Sequence, residues 1–289
     1  MRDTGVAFAK VNISLDIISK MTDGYHNLKM VMQTVSLCDE ITIECVRGEG
    51  VYVKDSGRPY LPSDERNIAM KAVKVFFAHT EITGHRANIW IKKRIPVGAG
   101  LGGGSADGAC VLRMMDKMFS AKLERETLIE LGKAIGSDVP FCIFGGTKLA
   151  EGRGEVLTDL TPIAHCHIVI CKPHFSFSTP ELFKQIKCSN IRARPDTDGI
   201  ITSLNNSDLE GIARRMYNVF EDVLPRGKRV IEDIKDKMLD NGALGSVMTG
   251  SGPTVIGVFD DSSRALKAHR DLKTEYHECF VTETVSTLT

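Results

Sequence analysis

Residues 96–106 read Pro-Val-Gly-Ala-Gly-Leu-Gly-Gly-Gly-Ser-Ala, with glycine at Gly98, Gly100, Gly102, Gly103 and Gly104. Glycine lets a backbone curl tightly and brings its N–H groups close to a ligand. Beyond the run, Ala109, Leu112, Met115 and Phe119 recur at helical spacing, and Ser105 reads as the N-cap of that helix. A glycine turn feeding a helix N-terminus offers unbonded N–H groups and a positive dipole end to one point, which suits phosphate. A ligand-free surface loop is the alternative, although each glycine then costs backbone entropy to no purpose.

Three further places carry chemistry-bearing side chains. Lys10 stands in an apolar, strand-like stretch, where an ammonium is costly unless it is paired, functional or snorkelling to an edge. Asp138 follows Gly136-Ser137 and precedes Val139-Pro140, so it belongs to a turn, as a general base or as a capping aspartate. Thr249-Gly250-Ser251-Gly252 forms a second glycine turn without a cation, able to offer backbone N–H groups and hydroxyls.

Two familiar phosphate loops are excluded. Gly98-x-Gly100-x-x-Gly103 satisfies the spacing of the dinucleotide fingerprint, but that fingerprint needs an acid about 20 residues on, at the end of the next strand. Here Asp116 falls inside the following helical pattern. A Walker A loop needs Gly-Lys-Ser/Thr, and Gly104-Ser105 brings no lysine.

The elements that must hold these residues alternate in blocks. Segments 9–17, 31–36, 40–45 and 87–95 are strand-like; 67–77 is helical, with Ala69, Val73 and Phe76 on one face. A helix over 123–135 carries Leu128, Leu131 and Ile135 on one side and stops at Gly136, and 141–144 with 147–150 reads as a hairpin. In the second half, 167–171 is a strand and Pro180, after Thr179, opens a helix. Helices follow over 208–224, stopped by Pro225, and over 229–239, closed by Asn241-Gly242. Strands at 244–248 and 254–259 flank the second glycine turn, Ser262 with Ser263 caps a last helix, and 278–285 is a final strand. The class is α+β.

The bulk properties set limits. With 42% hydrophobic and 26% charged residues in 289, the chain is globular in composition. Basic and acidic residues balance at 37 each, which disfavours nucleic acid or an anionic membrane as partner. No apolar stretch reaches membrane-spanning length, and residues 1–9 resemble neither a signal nor a transit peptide, so a cytoplasmic location is expected. Cys38, Cys45, Cys110, Cys142, Cys166, Cys171, Cys188 and Cys279 form no Cys-x-x-Cys pair and read as buried thiols. His165-Cys166-His167 with Cys171 is the zinc alternative, without a second pair to support it.

Pro96-x-Gly98-x-Gly100-Leu101-Gly102-Gly103-Gly104-Ser105 resembles the phosphate loop of the kinases named for galactose, homoserine, mevalonate and phosphomevalonate, the GHMP family. Ala9-Lys10-Val11-Asn12, Gly136-Ser137-Asp138-Val139 and Met248-Thr249-Gly250-Ser251-Gly252-Pro253 resemble its other motifs, in the family's order over nearly the whole chain. Asp23-Gly24-Tyr25-His26 resembles the branch whose acceptor is a cytidylated methylerythritol.

The resemblance implies a two-lobed fold with the active site in the cleft between lobes, the lobes being residues 1–160 and 161–289. It implies phosphoryl transfer from ATP, with Mg2+ held chiefly by the phosphates and no dedicated protein metal site, to the 2-hydroxyl of 4-diphosphocytidyl-2-C-methylerythritol. Asp138 becomes the base and Lys10 its charge-stabilising partner. Residues Pro96, Val97, Gly98, Ala99, Gly100, Leu101, Gly102, Gly103, Gly104, Ser105 and Ala106 cradle ATP, and Asn67 contacts its adenine side. Asn12, Tyr25, His26, Thr179, Phe183, Gly250 and Ser251 hold the acceptor, with Tyr25 and Phe183 stacking on the base.

The chain departs from the family at Phe8, usually proline, and at Ala106 and Gly108 of Ser105-Ala106-Asp107-Gly108, usually Ser-Ser-Asp-Ala. Ala106 removes a hydroxyl, and Gly108 weakens the helix start by up to ~1 kcal/mol. Another kinase of the family, a nucleotide sensor without turnover and a nicotinamide oxidoreductase are the competing readings.

Overall fold

The computed structural model describes residues 1–188, 191, 193–224 and 226–288; Pro225, the expected helix stop, lies outside them. Packing divides the chain into two compact units, one of Met1–Ala9, Leu37–Val97 and Gly102–Phe144, the other of Lys10–Ser36, Gly98–Leu101 and Gly145–Thr289. The boundary expected after residue 160 is a single cut, whereas the units interleave along the chain. Two long strands explain the interleaving: β1 (Arg2–Lys20) and β2 (His26–Arg47) each contribute one end to each unit. The segments read as separate strands at 31–36 and 40–45 are both parts of β2.

In the first unit, residues 40–47 of β2 pair antiparallel with β4 (His85–Lys92), and β3 (Val51–Asp55) pairs parallel with β4. Along β2, Asp39, Ile41, Ile43 and Cys45 are buried and alternate with more exposed neighbours, as expected for a strand with one covered face. Four helices pack together here: α1 (Ile68–Thr80), α2 (Gly103–Phe119), α3 (Arg125–Ile135) and α4 (Val139–Phe144). Helix α1 buries Ala69, Val73 and Phe76, the stripe read from the sequence. Residues 141–144 are helical, not a hairpin strand. Val139 and Phe141 are buried within this short helix, and Arg113 Nη1 donates to the Cys142 and Ile143 carbonyls at its end.

In the second unit, β5 (Thr147–Gly152) pairs with residues 28–33 of β2 and with β6 (Val156–Asp159). β7 (His167–Lys172) is buried along most of its length. Helices α5 (Thr179–Gln185), α6 (Thr197–Asn205) and α7 (Leu209–Arg214) follow it. The long helix expected over 208–224 is broken. Asp208 caps α7, and β8 (Tyr217–Asn218) then pairs parallel with β1 at Ser14 and Leu15 before a short 3-10 turn, Val219–Val223. Strand pairing outweighs helical periodicity there. Helix α8 (Lys228–Asp240), strands β9 (Gly245–Met248) and β10 (Val255–Phe259), helix α9 (Ser262–Lys273) and strand β11 (Glu278–Val285) complete the unit. β10 and β11 flank β7 antiparallel, β9 pairs with β10, and β11 reaches β2 at Thr34 and Val35. Helices α8 and α9 cover these strands with Ile231, Ile234, Met238, Ala265, Ala268 and Leu272. Asp261, not Ser262, caps α9, its carboxylate accepting from Arg264 N at 2.9 Å.

Six of the cysteines are buried, while Cys38 and Cys188 are half-buried. His165 and His167 face Glu283 at 3.2 and 3.4 Å. Among the described residues no helix is long and apolar enough to cross a membrane.

Candidate active site

The first unit builds a helix start at the head of α2 whose geometry suits an anion. Gly102 adopts a left-handed conformation (φ 67°) at the N-cap, and Ala106 N already bonds to the Gly102 carbonyl at 2.8 Å. The helix therefore begins earlier than expected: Ser105 is its third residue, not its cap, and no side chain caps it. The first-turn N–H groups keep no intrahelical partner, which is the arrangement that binds phosphate. Gly104 and Gly108 lie against Ile68 at the head of α1. Asn67 caps α1, accepting from Ala69 N at 3.0 Å and donating to the Pro62 carbonyl at 2.8 Å.

Asp138 occupies the turn after Gly136, as expected, and its carbonyl accepts from Cys142 N at 3.1 Å to open α4. Lys71 Nζ donates to the Ile135 carbonyl at 3.1 Å, tying α1 to the end of α3 just before that turn. Asn67, the head of α2 and the Asp138 turn thus share one unit. Pro96 and Val97 belong to it as well, while Gly98–Leu101 belongs to the second unit.

The sequence reading missed a buried ion cluster beneath the α2 start. Lys93 Nζ donates to Asp39 Oδ2 at 2.5 Å and to Asp107 Oδ2 at 2.7 Å. Asp39 Oδ1 also accepts the Arg94 and Ile95 N–H groups at 2.5 and 2.9 Å, fixing the chain that enters the glycine loop. Burial opposes the Lys93 charge, but the carboxylates of Asp107 and Asp39 outweigh it and raise the ammonium pKa. Burial, joined by the negative Asp39, pushes the Asp107 carboxyl up to about 7 against the pull of Lys93.

The second unit gathers most of the expected acceptor residues. Lys10 is 5% exposed, and its Nζ donates to Asn12 Oδ1 at 2.8 Å. Lys10 N donates to the Leu101 carbonyl at 3.0 Å, and Asn12 N to Thr249 Oγ1 at 2.8 Å, so β1 holds both glycine segments. These segments touch. A Cβ on Gly100 would fall 2.4 Å from the Thr249 carbonyl oxygen, and one on Gly250 would fall 2.8 Å from the Gly100 oxygen and 3.3 Å from Lys10 Nζ. Both glycines have positive φ, 74° and 58°, so close approach and backbone conformation demand the same residue. Thr179 Oγ1 and Ser251 Oγ share a hydrogen bond of 2.7 Å.

The aromatic residues expected at the base contact one another and their neighbours in the second unit. His26 stacks on Phe183, ring centroids 4.9 Å apart and planes 23° from parallel, and Phe183 meets the edge of Phe220 at 5.0 Å. Tyr25 is largely exposed and carries the Arg153 guanidinium 3.9 Å above its ring, with Arg153 also paired to Asp23. Burial, then the charge of Lys20, lowers the His26 pKa, which favours a neutral imidazole. Asn218 escaped the sequence reading because 208–224 read as one helix; the Tyr217–Asn218 pair ahead of Val219 and Phe220 was the local hint of a strand.

Comparison with known proteins agrees with this geometry. The N-terminal domain model of the GHMP kinases matches residues 67–146, which include α2 and Asp138, and their C-terminal model matches residues 200–278. A 4-diphosphocytidyl-2-C-methyl-D-erythritol kinase of Clostridium botulinum (strain Eklund 17B / Type B) is 44% identical over 280 residues, 96% of this chain and 99% of that protein. One from Acetivibrio thermocellus is 43% identical over 279 residues, 96% of this chain and 98% of that protein. The crystal structure of a 4-(cytidine 5'-diphospho)-2C-methyl-D-erythritol kinase, 27% identical, superposes with a TM-score of 0.82 over 98% of this chain and 99% of its own. A Leishmania mevalonate kinase structure, named L. major, shares the fold at 17% identity, with a TM-score of 0.76 over 99% of this chain and 97% of its own. With motifs, fold and near-full-length likeness in agreement, the chain belongs to the GHMP kinases and, among them, to the 4-diphosphocytidyl-2-C-methyl-D-erythritol kinase family.

Proposed function

We propose that this kinase moves the γ-phosphoryl group of ATP to the 2-hydroxyl of 4-diphosphocytidyl-2-C-methylerythritol, giving the 2-phosphate and ADP. Lys10 is the observation that carries the reading. A lysine 5% exposed in an apolar strand, bonded to Asn12 and walled by the Gly100 and Gly250 backbones, is expensive unless its charge is used. Phosphoryl transfer needs positioning and charge neutralisation more than covalent help.

Asp138 accepts the hydroxyl proton as the acceptor oxygen attacks phosphorus, and Lys10 stabilises the charge that develops on that oxygen. The uncapped first turn of α2 fits the nucleotide phosphates, because its free N–H groups and dipole are anion donors. Magnesium would accompany ATP, held chiefly by its phosphates, and would supply charge neutralisation there. Asn67 stands on the adenine side. Asn12, Thr179, Gly250 and Ser251 orient the acceptor. His26 and Phe183 form the platform for the cytosine, with Tyr25 at its rim.

An ADP-release assay with ATP, magnesium and 4-diphosphocytidyl-2-C-methylerythritol, run beside mevalonate, homoserine and galactose, tests the reaction. Turnover on the cytidylated acceptor alone is expected, and turnover on another alcohol instead would discard the substrate. Asp138→Asn is expected to lower kcat by roughly 10²–10⁴ while the ATP dissociation constant changes little. Near-normal kcat in that variant would remove Asp138 from the base role.

A further inference from the structure

Asn218 is 1% exposed, and every polar atom of its side chain is engaged. Its Nδ2 donates to the Met248 carbonyl at 2.7 Å and to the Gly250 carbonyl at 2.8 Å. Its Oδ1 accepts from Phe220 N at 3.0 Å. Three residues on, Glu221 Oε1 accepts from Met248 N at 2.8 Å and Oε2 pairs with Lys235 at 2.6 Å, so the same short segment grips the loop by both its donors and its acceptors.

The two ends of this amide lead to different parts of the site. Through Nδ2 it fixes Gly250, whose α-carbon lies against the Gly100 carbonyl and the Lys10 ammonium. Through Oδ1 it fixes Phe220, whose ring supports Phe183 edge-on, and Phe183 in turn stacks on His26. Strand β8, which carries Asn218, is registered on β1 at Ser14 and Leu15, only two residues beyond Asn12. One amide thus links the wall around Lys10 to the ring platform.

We propose that Asn218 is a positioning residue of the reaction, setting the distance between the turn beside Lys10 and the His26–Phe183 platform. The proposal rests on the functional reading above, because only an acceptor with a nucleoside at one end and a reacting hydroxyl at the other needs those two places held in register. An alanine there strands two buried carbonyls and an N–H without partners, and the turn and the ring platform drift independently. Misplacement of this kind acts on the chemical step as well as on binding.

The test is steady-state kinetics of purified Asn218→Ala and Phe220→Leu beside the wild type, with kcat and KM for both substrates corrected for folded fraction from circular dichroism. Asn218→Ala is expected to lower kcat roughly 10- to 100-fold and to raise KM for the cytidylated acceptor about 10-fold, with KM for ATP nearly unchanged. Phe220→Leu, which cuts only the ring link, is expected to raise the acceptor KM with a smaller loss in kcat. A merely structural role predicts activity loss in proportion to unfolded protein, with both KM values intact, and that result overturns the proposal. If Asn218→Ala does not fold, Phe220→Leu decides: an acceptor KM equal to wild type overturns it. A wild type that does not use the cytidylated acceptor overturns the functional reading and this proposal together. An active wild type with kinetically unaltered variants overturns this proposal alone.

Discussion

Asp107 stands in the second turn of α2 with Oδ2 on Lys93 and Oδ1 buried without a hydrogen-bond partner. One ammonium faces two carboxylates, so the cluster would carry a net negative charge beside the start of α2 if both were ionised. Burial and the Asp39 charge raise the Asp107 pKa to about 7, so as pH falls below neutrality the carboxyl takes up a proton and that charge is relieved. The folded state binds this proton more tightly than the unfolded chain, whose carboxyl titrates near 3.8. Stability from this group is full at acid pH, is lost as pH rises from about 4 to about 7, and is level above. Asp107→Asn is expected to abolish that slope: the gap between wild-type and variant unfolding free energies, from urea titrations at successive pH values, should change by about 2–4 kcal/mol across the window. A gap independent of pH would show that Asp107 is ionised throughout.

At the scale of the element, the contact between α1 and α2 shows why a glycine that looks unfavourable is retained. By helix propensity alone, Gly108→Ala should stabilise α2 by up to ~1 kcal/mol. The structure reverses the sign. A Cβ at 108 would fall 2.6 Å from Ile68 Cγ2 and 3.3 Å from Ile135 Cγ2, and both neighbours are β-branched and stiff. Gly108→Ala is therefore expected to destabilise the protein by roughly 1–3 kcal/mol, seen as a lower Tm. Because Ile68 supplies the closest atom, Gly108→Ala should cost much less in an Ile68→Ala background, and additive losses in the double variant would refute the steric account. Elsewhere, the expected helix over 208–224 gave way to β8 and a 3-10 turn, and that break is what places Asn218 against the second glycine turn and Phe220 against Phe183.

For the whole molecule, most of the expected site residues sort by unit, the exception being Gly98–Leu101 of the expected nucleotide loop, which lie in the second. Asn67, Ser105 and the α2 turn lie in the first, whereas Asn12, His26, Thr179, Phe183 and Ser251 lie in the second. Variants should sort likewise: Asn67→Ala and Ser105→Ala are expected to raise KM for ATP several-fold, and His26→Ala and Phe183→Ala to raise KM for the acceptor. Mixed effects across the two groups of variants would refute the assignment of these side chains to separate ligands. The family, the α+β class and the glycine loop were legible in the sequence because each is written locally, in glycine spacing, strand alternation and helical stripes. The Asp138 turn and the burial penalty of Lys10 were legible for the same reason. Tertiary structure decided how side chains are used. It spent the Asn67 amide on its own helix, displaced Ser105 from the cap, stacked His26 on Phe183, joined Asp39 and Asp107 through Lys93, and gave Asn218 to the second glycine turn. A hydrogen bond or ring contact between residues tens to hundreds of positions apart leaves no periodicity in the chain; it exists only once packing brings both partners out of water.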